Sequence, residues 1–104
     1  MNVNTEINYL YRDGENFKFY NRAVLQGELT KELIDEIISC LDGGEYFIPS
    51  AVGLPEERFE EETDADHRWF ELNKSGFNST QEKPTVKITA IEFYNLFLLN
   101  KGFW

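Results

Sequence analysis

Asp64-Ala65-Asp66-His67 places two carboxylates and the chain's only imidazole within four residues. Hard cations take carboxylate oxygens, and zinc accepts His and Asp together. The spacing lets all three side chains converge at the entrance to a strand. Ligand count argues against a closed zinc site: there is no second histidine, and Cys40 falls on the core face of an expected helix. The calcium-loop pattern fails too, because its sixth-position glycine and closing glutamate are missing. No metal site is assigned. For acid–base work, His67 could pair with Asp66 or Glu71 as base and orienter. On a strand, Glu71 lies about 13 Å from His67 and cannot hold its ring. Ser39, Ser50, Ser75, Ser79 and Cys40 are the candidate nucleophiles, and none sits in a nucleophile-elbow context. Gly43-Gly44 follows a helix, whereas a phosphate cradle precedes one. No catalytic residue is assigned, and no cofactor is expected.

The same region concentrates charge. Residues 56 to 66 hold seven acids against Arg58, which is −6 of a net −9. Local acidity argues against direct nucleic-acid binding, which needs a basic footprint. It suits a protein partner with a basic surface, with Glu60, Glu61, Glu62, Asp64 and Asp66 as the electrostatic face and His67 and Trp69 as anchors. The plainer reading is a solvated loop that keeps an aromatic-rich domain soluble. A second constellation is Tyr11-Arg12-Asp13, with Tyr9 two residues before. An aromatic pair beside arginine could bind a planar or anionic ligand, with His67 completing the site. Against that, tyrosines at i and i+2 usually make half of a sheet face, and Asp13 suits a turn.

These residues need a scaffold. A chain of 104 residues is one domain, able to bury roughly two-thirds of its unfolded surface. Aromatics make up 15% of it, which supplies large apolar area per position. A single cysteine fits a reducing compartment. The opening "MNVNTEINYL" has no leader-like run, and no apolar run approaches a membrane span. The expectation is a soluble cytoplasmic protein without membrane contact.

"EINYLYR" alternates, with Ile7, Tyr9 and Tyr11 on one face, and reads as a strand. Asp13-Gly14 marks a hairpin turn into "FKFYNRAVLQGEL". "LTKELIDEIISCLDGG" is the clearest helix, N-capped by Thr30 and stopped by Gly43 or Gly44. "EYFI" is a short strand ended by Pro49. "HRWFELN" alternates again, with Phe70 and Leu72 toward the core and His67, Trp69 and Glu71 away from it. "KSGFNSTQEKP" reads as a polar loop, and "TVKIT" as a brief strand or an extended lead-in. Thr89 and Glu92 form a capping-box pair opening "AIEFYNLFLLNK", with Gly102 just past its end. This last helix is apolar around most of its circumference, so part of it could meet a second copy. The order β-β-α-β-β-(β)-α gives a two-layer α+β domain over residues 1 to 104. It has an antiparallel sheet of about four strands, two covering helices and an acidic connector at 54 to 66.

At "YLYRDGENFK", "GEYFIPSAVGLPE" and "DADHRWFEL" the chain resembles a family of small uncharacterised bacterial proteins. That pattern has a Tyr-Arg-Asp turn, a Phe-Ile-Pro segment leading to Leu-Pro, and an Asp-His-x-Trp stretch. It draws in Tyr11, Arg12, Asp13, Pro49, Leu54, Pro55, Asp66, His67 and Trp69. Where the pattern often carries a second histidine, this chain has Phe70. The resemblance implies a bacterial source and no particular activity.

The leading expectation is a non-enzymatic interaction domain of the inhibitor, immunity or decoy type. The competing one is a small-ligand or metal-dependent hydrolytic site around Asp66, His67, Trp69 and Arg12.

Overall fold

Alternating side chains build the first hairpin of the computed structural model, which describes residues 3–12, 18–56 and 69–104. Strand β1 (Asn4–Arg12) turns Ile7, Tyr9 and Tyr11 into the core and Asn8, Leu10 and Arg12 to the opposite face. Strand β2 (Lys18–Leu25) pairs with it antiparallel, from Arg12↔Lys18 to Thr5↔Leu25. The expected turn at Asp13 lies outside the described residues.

Helix α1 (Lys31–Cys40) starts where Thr30 Oγ1 accepts the Leu33 amide at 3.3 Å. Ile37 and Cys40 are buried on its inner face. The helix ends before Gly43. Gly43 and Gly44, at φ +60° and +76°, instead form the tight turn that brings Asp42 back beside Tyr46. Strand β3 (Tyr46–Phe47) follows, then a 3₁₀ turn over Pro49–Val52. Strand β4 (Phe70–Glu71) lies antiparallel between β3 and β1.

The segment read as a polar loop contains a strand. β5 (Phe77–Thr80) pairs antiparallel with β1 from Ile7↔Phe77 to Asn4↔Thr80. It shares one edge of β1 with β4, and a 3₁₀ turn at Lys74–Gly76 joins the two. An unbroken register from Leu10↔Glu71 would set Lys74 opposite Ile7, yet Phe77 stands there. The turn therefore inserts three residues. An odd insertion reverses the inward and outward phase of the chain. Phe70 and Leu72 face the core before the turn, and Phe77 faces it afterwards.

The sheet thus has five strands, in order β2-β1-β4-β3 with β5 also on β1. "TVKIT" contributes no named strand; it is a lead-in whose Thr85 amide bonds the Val24 carbonyl at 2.9 Å. Helix α2 (Ala90–Asn100) opens with the full capping box: Thr89 Oγ1 accepts from the Glu92 amide and Glu92 Oε1 accepts from the Thr89 amide. Both helices cover the face carrying Ile7, Tyr9 and Tyr11. Phe93 and Phe97 of α2 are fully buried, and Phe97 stacks on Phe47 at 5.5 Å. Burying an aromatic of this size contributes about 1.5–3 kcal/mol. Trp104 closes the layer from beyond Gly102, donating its indole N–H to the Cys40 carbonyl at 2.6 Å.

Candidate functional site

Among the described residues, no element covers the upper half of the other sheet face. Segment 81–88 crosses its lower end, where Val24 is buried and Glu82 meets Arg22. On the open half, the pairings align Tyr20, Leu10, Glu71 and Tyr46 in one row across β2, β1, β4 and β3. Tyr20 and Tyr46 are 73% and 37% exposed. Alternation past the buried Phe70 puts Trp69, 40% exposed, on the same side as Glu71. Arg12 is here too, with its Nε 3.2 Å from Glu71 Oε2. That approach lacks hydrogen-bond geometry, so the buried Nε keeps no true acceptor.

Arg12 and Glu71 border a concavity of about 350 Å³. Leu10 lies beneath it, Tyr20 lines one side, and Asn8, Asn73 and Ser75 line the rest. The inserted turn supplies that last wall. Gly76 lets it approach, since a Cβ there would sit 2.3 Å from the Asn8 carbonyl oxygen. Lys74 ties the turn to Asp35 of α1 at 2.6 Å. Beside the concavity, Glu6 accepts from Arg22 at 2.6 Å and from Asn8 at 2.7 Å. Arg22 first, then Asn8, hold the Glu6 carboxyl below the ordinary glutamate range.

Glu60, Glu61, Glu62, Asp64, Asp66 and His67 lie outside the described residues, as does Asp13. Trp69 is exposed on the open sheet face. Arg12 shares that face, but Tyr11 does not. Tyr11 is fully buried with its ring 5.2 Å from Phe70, so the structure does not bring Tyr11 and Arg12 together on one face. Neighbours on a strand point to opposite faces, and only Arg12 reaches the concavity. Among the described residues, no group of three or more His, Cys, Asp and Glu could hold a metal ion.

One residue, Tyr9, contacts both the start of the acidic connector and strand β4, which follows it in the sequence. The Tyr9 hydroxyl donates to the Pro55 carbonyl at 2.5 Å, and its ring meets Phe70 at 5.9 Å. Leu54 belongs to the core, and Glu56 Oε2 accepts from the Ser50 amide at 3.0 Å. The first residues of the expected connector, 54 to 56, are therefore part of the packed domain.

Tyr20, Asn8, Asn73 and Ser75 were not among the expected site residues. Alternation in "FKFYNRAV" already sets Tyr20 on the face opposite Phe19, whereas nothing local announces that Asn73 and Ser75 return beside β1. On α2, Ile91, Leu98 and Leu99 are exposed, as is Phe103 beyond it. The expected self-association rested on Phe93, Tyr94, Leu96, Phe97, Leu98, Leu99, Phe103 and Trp104; of these, Leu98, Leu99 and Phe103 are exposed, whereas Phe93 and Phe97 are buried.

Comparison with protein-family models, curated proteins and solved structures found no match. Among the described residues, no helix is long and apolar enough to cross a membrane.

Proposed function

We propose that this chain is a non-enzymatic, cytoplasmic protein-interaction domain whose acidic connector engages a partner with a basic surface. The observation that carries the reading is the −6 charge on residues 56 to 66, running into an exposed Trp69. Charge at that density raises the rate of encounter with a cationic surface and weakens as salt screens it. A large amphipathic ring beside it suits an anchor, because tryptophan, tyrosine and arginine dominate interface energetics. Trp69, Tyr46 and Arg12 offer that chemistry on the sheet face that the helices leave open. An inhibitor, an immunity protein or a nucleic-acid-mimicking decoy would each use such a surface.

The test is recovery of the partner on the immobilised chain, followed by a salt series. The reading expects a basic protein that is released progressively as ionic strength rises. Partner retention indifferent to salt contradicts it. Replacing Glu60, Glu61 and Glu62 by Gln separates this reading from a purely solubilising run. Loss of the partner with solubility intact supports recognition.

The exposed apolar side chains Ile91, Leu98, Leu99 and Phe103 favour a second contact, with another copy of the chain. Sedimentation over a concentration series should show reversible dimers that Leu99→Glu removes. A concentration-independent monomer ends that idea.

A further inference from the structure

The concavity on the open sheet face has a chemistry of its own. Arg12 and Glu71 lie side by side on its border as an ion pair, so its two formal charges cancel. An anionic ligand drawn to Arg12 meets Glu71, and a cationic one drawn to Glu71 meets Arg12. A charged ligand would gain little from the pair and still lose its hydration. A neutral ligand avoids that loss and can use both partners as hydrogen-bonding groups.

Those groups are mixed and available. Glu71 uses one carboxylate oxygen on Arg12, which leaves the other as an acceptor. Asn8 donates its amide N–H groups to Glu6 and Gly76, so its carbonyl oxygen stays open. Asn73 accepts from Ser75 through Oδ1, which leaves its NH₂ as a donor. The guanidinium of Arg12 adds further donors. Tyr20 supplies a large exposed aromatic face, and Leu10 an apolar patch beneath. Alternating donors and acceptors around an aromatic wall match a ring with hydroxyls on its rim and C–H groups on its face. Each hydroxyl both donates and accepts, so it is satisfied by an amide or by the Arg–Glu pair without any change of charge. The volume lies at the small end of ligand sites and suits a molecule of roughly a dozen non-hydrogen atoms.

We propose that this concavity binds a neutral polyhydroxylated ring the size of one pyranose sugar, with Tyr20 as the stacking wall and Arg12, Glu71, Asn8 and Asn73 as the hydroxyl-binding groups. An open site of this kind gives millimolar affinity.

The test is a nuclear magnetic resonance titration of the full nitrogen-15-labelled chain. The probes are the methyl glycosides of glucose, galactose and mannose, and free N-acetylglucosamine. Sodium acetate and ethylguanidinium chloride serve as charged comparators. The expected result is saturable shifts at the Asn73 side-chain amide and around Arg12 and Tyr20 with at least one sugar. Tyr20→Ala should weaken that binding at least about tenfold. The exposed position of Tyr20 lets the variant keep its fold, checked by an unchanged spectrum elsewhere. Three results overturn the proposal: no saturable shift with any of the sugars, tighter binding of acetate or ethylguanidinium at the same residues, or undiminished sugar binding in Tyr20→Ala. Loss of sugar binding leaves the connector reading standing, and loss of the basic partner leaves this one standing.

Discussion

Tyr9 joins the core to the acidic connector through one hydroxyl and one ring. Tyr9→Phe keeps the packing against Phe47 and Phe70 but deprives the Pro55 carbonyl of its donor. The expected cost is about 1 kcal/mol, seen as a lower urea midpoint with an unchanged slope. Glu6 gives a pH prediction at the same scale. Its carboxyl is held below the ordinary range chiefly by Arg22. A depressed carboxyl contributes stability that is present above its unfolded value and lost as pH falls through its folded value. Arg22→Ala should therefore raise the Glu6 titration midpoint toward the ordinary value, followed by side-chain carbon resonance. Residue-level legibility was uneven. Tyr9 and Tyr11 alternate with polar neighbours, which marks a sheet face. The Tyr9–Pro55 contact joins positions 46 residues apart, and no local pattern encodes it.

Elements with strong period and clear caps were legible: both helices and the first hairpin lie where alternation, 3.6-residue spacing and the Thr30 and Thr89 caps place them. β5 was not. Phe77–Thr80 is mostly polar, and the three-residue insertion before it breaks the alternation that "HRWFELN" begins. A strand that reverses phase after a turn looks like a loop to any reading based on period two. Gly76 is the residue on which this element depends. Gly76→Ala should cost about 1–3 kcal/mol, because its Cβ meets backbone that has little room to retreat. Amide exchange should locate the damage: protection falls first over residues 77 to 80, where β5 pairs with β1. Uniform loss across the whole sheet would argue that the turn has no special role.

At the scale of the molecule, two layers around one aromatic core leave a sheet face that neither helix covers, and most of the net charge falls in the sequence just before β4. The α+β class followed from the order of elements, because short connections favour antiparallel pairing and amphipathic helices need a sheet to cover. The concavity did not, since it is assembled from β1, β2, β4 and a turn whose register only the folded chain defines. The central claim rests on the connector, so the deciding measurement is partner affinity for the unaltered chain and for a triple variant with Glu60→Lys, Glu61→Lys and Glu62→Lys, over a salt series. The account predicts at least about a tenfold loss at low salt and a shallower salt dependence in the variant. Equal affinities and equal salt slopes for the two chains would contradict it.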